Sequence, residues 1–268
     1  MEEFRMNHTI YPLYNGSFNI LMKSARSLKD IHCFAFLVVD ENGEAVLVDT
    51  GFDPNAIPGA NTRANQTGEQ KVKVAIENLG FDPTGIKDVI MTHIHWDHTC
   101  GMSNFPQARF LFQADEFRGL LQLNPNEETY FNPNHWFHLL PNIELIEGNR
   151  EIKPGLKVIH SGGHTRGHQL VEVQTNEGLV YLIGDSPFNY DMLWKQIPPD
   201  RWQYFREGVG ARFYWEEGIL DTIGEWLKQH NCSGPVQRQA VPWPEIKKLG
   251  SRLLMGHDPR LLKVKSIG

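Results

Sequence analysis

The most informative segment of the chain is Thr92-His93-Ile94-His95-Trp96-Asp97-His98. It follows residues 88–92, a short apolar run that predicts a β-strand. Residues two apart in an extended chain point to the same side, so His93 and His95 can chelate one ion. Asp97 and His98 lie just beyond, where a turn would direct them at a second ion. Imidazole and carboxylate groups are the natural ligands of zinc and neighbouring divalent metals, so the segment predicts a metal site.

Three more segments place a metal-ligand residue after an apolar run and beside a glycine, which allows close approach of the backbone. They are Gly162-Gly163-His164-Thr165-Arg166-Gly167-His168, Gly184-Asp185 and Gly256-His257-Asp258. A strand end is a rigid platform from which side chains project into a cleft. The four segments together predict a metal site where several strand ends meet at one sheet edge.

Apolar alternation and turn residues predict many strands mixed with helices. The predicted strands are 10–14, 33–40, 44–49, 88–92, 109–113, 144–147, 157–160, 170–174, 179–183 and 252–255. The predicted helices are 69–79, 114–123 and 216–230, with a hairpin turn at 40–43 and loops at 54–68 and 124–141. The chain contains no fixed-period repeat and no low-complexity linker. We therefore expect one α/β sandwich domain over residues 1–268.

Composition narrows the function classes. The 268 residues carry 26 Lys+Arg against 32 Asp+Glu, a net charge of −6. An acidic balance argues against nucleic acid and against an anionic membrane surface, because both favour a basic face. The strongest apolar run, 33–39, is too short to cross a membrane. The N-terminus is acidic where a secretory signal would be basic, and the three cysteines form no CxxC pair, so we expect a cytoplasmic protein without a disulfide framework.

The histidine and aspartate pattern resembles a known family. His93-x-His95-x-Asp97-His98, followed by His164, Asp185 and His257, is similar to the ligand set of the metallo-β-lactamase fold superfamily. The segment Leu47-Val48-Asp49-Thr50-Gly51 also resembles a strand end of that superfamily. The sequences of residues 163–169 and 255–258 are most similar to those of the N-acyl homoserine lactonases and related lactonases. The resemblance implies an αββα sandwich, with two mixed sheets flanked by helices and the metals at one edge.

The resemblance also implies a role for each residue of the set. One metal would be held by His93, His95 and His164, and the other by Asp97, His98 and His257. Asp185 would bridge the two ions, which we expect to be zinc, with iron, cobalt or manganese as alternatives. His164 is preferred to His168 as the ligand, and His168 would support the site. Asp49 would orient a ligand imidazole, and its alternative role is to cap a turn.

Two divalent ions a few Å apart can share a hydroxide formed at neutral pH, which attacks the carbonyl of a lactone, ester or thioester. One metal would polarise the carbonyl oxygen, and Asp97 would pass a proton to the leaving oxygen. The chain carries no Gly-x-Ser-x-Gly elbow and no phosphate loop. We therefore expect a dinuclear-metal hydrolase whose partner is a small-molecule lactone or ester, with an N-acyl homoserine lactone as one candidate.

One position departs from the lactonase pattern. Lactonases of this type carry a tyrosine three residues after the bridging aspartate, where it contacts the substrate carbonyl. Here that position is Phe188, and the next tyrosine is Tyr190. Tyr190 is the candidate catalytic substitute, although a shift of two residues changes its direction. The departure weakens the assignment to acyl homoserine lactones and leaves the metal chemistry untouched.

Two other functions stay open at this point. The first is a thioesterase of the glyoxalase II type, whose motif is also HxHxDH and can carry tryptophan at the position of Trp96. The second is a non-catalytic scaffold that keeps the fold without metal. Aromatic residues crowd 130–137 and 188–215, where they would line an apolar pocket, form a homodimer contact or pack in the core. His135 and His138 have no metal-ligand context, so we do not expect them to be ligands.

Overall fold

The structure is a computed structural model that describes residues 6–20, 28–56, 62–123, 130–186, 218–250 and 252–268. The strands of these ranges are β1 (His8–Ile20), β2 (Leu28–Asp40), β3 (Ala45–Val48), β4 (Thr62–Asn65), β5 (Asp88–Ile90), β6 (Arg109–Gln113), β7 (Ile143–Ile146), β8 (Arg150–Lys153), β9 (Leu156–His160), β10 (Gln169–Thr175), β11 (Gly178–Leu182) and β12 (Leu253–Leu254). The α-helices are α1 (Val72–Asn78), α2 (Trp96–Thr99), α3 (Ala114–Leu120), α4 (Ile219–Gln229) and α5 (Trp243–Ile246). None of these helices is long and apolar enough to span a bilayer.

The strands form two mixed sheets. The first has the order β4-β1-β2-β3-β5-β6-β7. Its pairs are antiparallel from β4 to β3 and parallel from β3 to β7. The second has the order β12-β11-β10-β9-β8, and only its β11–β12 pair is parallel. The hairpin between β2 and β3 is confirmed, since the N–H of Gly43 donates to the carbonyl of Asp40 over 3.0 Å.

Strand β2 shows why two cores form. Successive side chains of a strand point to opposite faces, and here both faces are buried, which explains the continuous apolar run. Phe36 and Val38 point into the core between the sheets, where they meet Val171 and Leu182 of the second sheet. Leu37 points to the opposite face. Each large side chain buried in this way stabilises the fold by about 1.5–3 kcal/mol.

Helices cover the outer faces of both sheets. Ile76 of α1, Phe117 of α3 and Ile223 of α4 belong to the core on the outer face of the first sheet. Ile246 of α5 packs with Tyr181 and its neighbours on the outer face of the second sheet. The expected αββα sandwich of two mixed sheets flanked by helices is therefore confirmed.

The structure differs from the predicted elements mainly where strands are polar. Residues 54–68 were expected to form a loop, but Thr62–Asn65 is strand β4, paired with β1. Strand β8 was not predicted, because Arg150–Lys153 is polar and partly or fully exposed along an edge. In the described part of the 124–141 loop, Pro133–His135 and Phe137–Asn142 form 3₁₀ helices. Both β4 and β8 are edge strands held by backbone pairing, β4 with the distant β1 and β8 with the adjacent β9, and their polar composition does not reveal this pairing.

Candidate metal centre

The carboxyl ends of several strands bring the predicted ligand residues together, as is general for sites in sheets of this kind. His93 and His95 follow β5, and α2 immediately adds Asp97 and His98. In the second sheet, the ligand residues follow β9, β11 and β12, and they are His164, Asp185 and His257. All of these side chains are buried except that of His257, which is 12% exposed. The structure thus gathers all seven residues at one edge of the sandwich.

Three histidines form the first group. A ligand atom from each of His93, His95 and His164 lies within 4.8 Å of the others. His164 Nε2 is 3.1 Å from His95 Nδ1, and the Nδ1 of His93 faces the hydroxyl of Thr92 at 3.0 Å. The three rings therefore direct one nitrogen each at a common point.

Asp185 lies between this group and the remaining ligand residues. Its Oδ2 is 3.3 Å from His164 Nε2 and 3.1 Å from His257 Nε2, while its Oδ1 is 3.3 Å from His98 Nε2. Asp97 completes the second group, because its Oδ2 is 3.5 Å from His257 Nε2 and 3.9 Å from His98 Nε2. The geometry is that of two adjacent groups that share one carboxylate.

Unpartnered buried atoms test whether a metal fits this arrangement. His93 Nε2, His98 Nε2 and Asp185 Oδ1 are buried without a hydrogen-bond partner. Such atoms are rare in folded proteins because each one loses its hydration without compensation. In this protein the three unpartnered atoms lie close together. They are nitrogen and oxygen atoms of the types that bind divalent metals. The residues therefore fit divalent cations.

Hydrogen bonds outside the groups fix the orientation of two imidazoles. The Asp49 carboxylate accepts hydrogen bonds from His98 Nδ1 at 2.8 Å, from Thr92 N at 2.7 Å and from the Thr92 hydroxyl at 2.8 Å. His257 Nδ1 donates to the carbonyl of His32 at 2.7 Å. With the proton on Nδ1, each ring presents the lone pair of Nε2 to the site. Asp49 thus lies where it orients an imidazole, as the family resemblance implied.

Burial and neighbouring charges move the pKa values of the groups in opposite directions. Burial lowers the pKa of His93 and of His95 well below the usual value, and their imidazole neighbours add to this shift. Burial also opposes the charged form of His98, but Asp49, Asp185 and Asp97 outweigh it and raise its pKa well above the usual value. Burial would raise the pKa of Asp185, yet His257, His98 and His164 hold it well below the usual range. The neutral imidazoles of His93 and His95 and the ionised carboxylate of Asp185 therefore suit a cation, whereas His98 would release a proton when a cation binds.

The other histidines singled out in the sequence lie beside the site. His168 Nδ1 is 2.7 Å from the Ser161 hydroxyl, and its Nε2 accepts from the backbone N–H of Asp185 at 3.4 Å. His135 Nδ1 lies 3.1 Å from the hydroxyl of Thr99, which donates to the carbonyl of His95. Neither His168 nor His135 belongs to a potential ligand group in the described part of the chain. Phe188 and Tyr190 lie outside the described residues.

Aromatic side chains flank the ligand groups. The Phe18 ring is 4.9 Å from that of Trp96 and 6.3 Å from that of His257. The Tyr130 ring is 5.7 Å from that of His95. The Phe131 ring also lies beside His95, at 4.9 Å, and both Phe131 and Trp136 are buried in the core on the outer face of the first sheet.

Two buried residues near the ligands were missed by the sequence reasoning. The Cys33 thiol lies with Asp97 and His257 in a third potential ligand group, and burial raises its pKa. Glu116 accepts three hydrogen bonds from the loops that carry ligand histidines. Burial raises the pKa of Glu116 to about 7, although these hydrogen bonds favour its ionised form. The position of Glu116 shortly after a strand, like that of the ligands, is the one signal that could have identified it.

Comparison with known proteins finds several chains that are similar to this one. An N-acyl homoserine lactonase from Bacillus sp. is 26% identical over 184 residues, which cover 64% of this chain and 70% of the relative. A probable metallo-hydrolase from Mycobacterium tuberculosis is 30% identical over 184 residues, which cover 58% of this chain and 56% of the relative. The crystal structure of a quorum-quenching N-acyl homoserine lactone hydrolase superposes with a TM-score of 0.63 at 20% identity, over 97% of this chain and 96% of that chain.

The comparison with family models covers the central part of the chain. The model of the metallo-beta-lactamase superfamily matches residues 28–194, which include six of the seven predicted ligand residues. Only His257 lies beyond the matched segment. Since the match spans more than half of the sequence, the chain belongs to the metallo-beta-lactamase superfamily, whose fold implies the binding of divalent metal ions.

Proposed function

We propose that the protein is a dinuclear-metal hydrolase that opens lactone rings. In this proposal one ion is held by His93, His95 and His164, the other by Asp97, His98 and His257, and both by Asp185. The observation that carries it is the position of the Asp185 carboxylate, which lies within 3.3 Å of a nitrogen from each group. A carboxylate with an imidazole on each side and an unpartnered buried oxygen is suited to bridging two cations.

Two bound divalent ions would supply a water of pKa near 7 and a Lewis acid for the carbonyl oxygen. We propose zinc because a site rich in imidazole suits it, with iron, cobalt and manganese as the alternatives that metal analysis would distinguish. The residues of the chain then orient the metal ligands and move a proton. Asp49 and the carbonyl of His32 hold two rings in the required tautomer. Asp97, buried beside His257, carries a proton to the leaving oxygen.

A lactone is the proposed substrate class on the basis of sequence similarity. The relatives that match over 64% of the chain are N-acyl homoserine lactonases at 25–26% identity. Tyr130, which is partly exposed and has its ring 5.7 Å from that of His95, is consistent with a substrate that has an apolar part. Tyr190 stays our candidate for the tyrosine that Phe188 replaces.

The test is a hydrolysis panel on the zinc-loaded protein. It includes N-acyl homoserine lactones, other γ- and δ-lactones, aryl esters and S-lactoylglutathione. The variants H95A and D185N should lose hydrolysis, while D40N should keep it. Asp40 is a suitable control because it is also buried but lies at the β2–β3 hairpin, where it accepts the backbone N–H groups of Asn42 and Glu44.

Each other outcome identifies a different function. Faster turnover of S-lactoylglutathione than of any lactone would favour a thioesterase. Less than one equivalent of metal in protein prepared with zinc would favour a non-catalytic scaffold. Full activity in both H95A and D185N would refute the proposed centre.

A further inference from the structure

Glu116 is a buried carboxylate that contacts the ligand loops through their backbones. It lies in the first turn of α3 and is only 2% exposed. Its Oε1 accepts the backbone N–H of Ile94 at 2.8 Å. Its Oε2 accepts the backbone N–H of Gly167 at 2.6 Å and the hydroxyl of Thr165 at 2.8 Å. One side chain therefore uses both oxygens to join two segments that are distant in sequence.

The two segments carry the three-histidine group. Ile94 lies between His93 and His95, and Thr165 follows His164 directly. The first segment follows β5 of the first sheet, and the second follows β9 of the second sheet. Glu116 thus spans the edge where the two sheets meet, beside the 3.1 Å approach of His95 Nδ1 to His164 Nε2.

Close packing adds to this connection. A Cβ atom on Gly167 would overlap the backbone nitrogen of Glu116. The start of α3 is therefore seated directly against the His164 loop, with no room for a side chain between them. This contact restricts how far the loop can move relative to Glu116.

The second group is held by other residues. His98 is oriented by Asp49, and His257 by the carbonyl of His32. Asp49 contacts neither His95 nor His164, although it reaches His93 through the Thr92 hydroxyl, which donates to Asp49 and lies 3.0 Å from His93 Nδ1. Glu116 thus supports the loops of His95 and His164, whereas Asp49 supports His98 and, through Thr92, His93.

We propose that Glu116 is a positioning residue that presets the three-histidine group for its metal ion. The inference rests on the proposed dinuclear centre and adds that the loops of His95 and His164 depend on a buried carboxylate other than Asp49. Loss of a hydrogen-bonding partner outside the ligand set typically weakens metal affinity by 10- to 100-fold. Glutamine at position 116 presents an amide NH₂ to N–H donors, so E116Q should weaken the binding of one ion by about that factor.

Zinc titration of the metal-free protein against a competing chelator measures the two binding steps separately from activity. D115N is the matched control: Asp115 neighbours Glu116 and is also 2% exposed. Its carboxylate accepts hydrogen bonds from Arg118 and from the backbone N–H groups of Gln237 and Arg238. D115N should lower the free energy of unfolding and leave both zinc affinities unchanged. E116Q should weaken one step only.

Further variants keep the outcomes distinct. D49N should weaken mainly the other step, because Asp49 contacts His98 directly and His93 only through Thr92, so the double variant E116Q/D49N should bind neither ion tightly. If E116Q does not fold, T165V removes one of the three hydrogen bonds and should weaken the same step by several-fold. Wild-type affinity in E116Q, or in T165V where E116Q does not fold, would overturn the inference, as would an equal loss in D115N. Failure of the wild-type protein to bind zinc would refute the proposed function, and this inference with it.

Discussion

Replacing Asp49 by asparagine should change the tautomer of His98. Asp49 has a φ of 61°, a left-handed conformation that asparagine also tolerates, so D49N keeps the backbone. The amide oxygen can still accept the N–H of Thr92, which leaves the NH₂ group facing His98 Nδ1. Two donors repel each other, so Nδ1 must become an acceptor and the imidazole proton moves to Nε2. That proton then points at the position of the metal.

The expected cost is a 10- to 100-fold loss of affinity for one zinc ion, or about 1.4–2.7 kcal/mol. Chelator competition on the wild type, D49N and D40N measures it, and ¹⁵N chemical shifts of the imidazole report the tautomer directly. D40N removes the charge of another buried aspartate and should bind zinc like the wild type. Wild-type zinc affinity in D49N, or an equal loss in D40N, would refute the tautomer argument.

Three other changes probe the packing around the centre. G101A should lower the free energy of unfolding by about 1–3 kcal/mol, because the new methyl group would overlap the carbonyl of Thr50. In the control G85A the methyl group meets open space, so its free energy of unfolding, measured by urea denaturation like that of G101A, should not fall. L47A should cost about 2–5 kcal/mol in the same assay, because Leu47 is fully buried. Burial lowers the pKa of His135 to about 4, while the unfolded side chain takes up a proton near pH 6.5. Between pH 7 and 5 the metal-free wild type should therefore lose about 2 kcal/mol more unfolding free energy than H135Q, and an equal loss in both would contradict this assignment.

Apolar strands were predictable from the sequence, and polar strands were not. The run at 33–39 predicted a buried strand because both faces of β2 pack against apolar partners. The strand predicted at 109–113 has the same bounds as the observed β6. Strands β4 and β8 are polar edge strands that pair with the distant β1 and with the adjacent β9, and their composition lacks the apolar alternation that identifies a strand.

The same distinction applies to the candidate site. The seven candidate ligand residues, which the structure brings together, stand out in the sequence because their side-chain chemistry is unusual and their segments follow apolar runs. Glu116 and Cys33 were missed, since a glutamate at the start of a helix and a cysteine in a strand are ordinary at the level of sequence, and only the position of Glu116 shortly after a strand was informative. Their position beside the ligands depends on how β2, β5 and β6 are arranged in the first sheet.

That arrangement also explains how a loop can hold ligands rigidly. The order β3-β5-β6 places the strand that leads to His93 between the strands that lead to Asp49 and Glu116. The backbone bonds of the sheet end with Asp49 N to Ile90 O at 2.9 Å and Met91 N to Leu111 O at 3.1 Å. Beyond that point two side-chain carboxylates accept the backbone N–H groups instead. Asp49 accepts the N–H of Thr92, and Glu116 accepts the N–H of Ile94. The segment 92–95 therefore need not keep strand geometry, so the imidazoles of His93 and His95 can both face the site. Its backbone is still held by side chains that follow the two neighbouring strands. Substitutions at Asp49 or Glu116 should therefore alter where the ligands lie without removing any of them, which is why zinc affinity is the quantity that tests their roles.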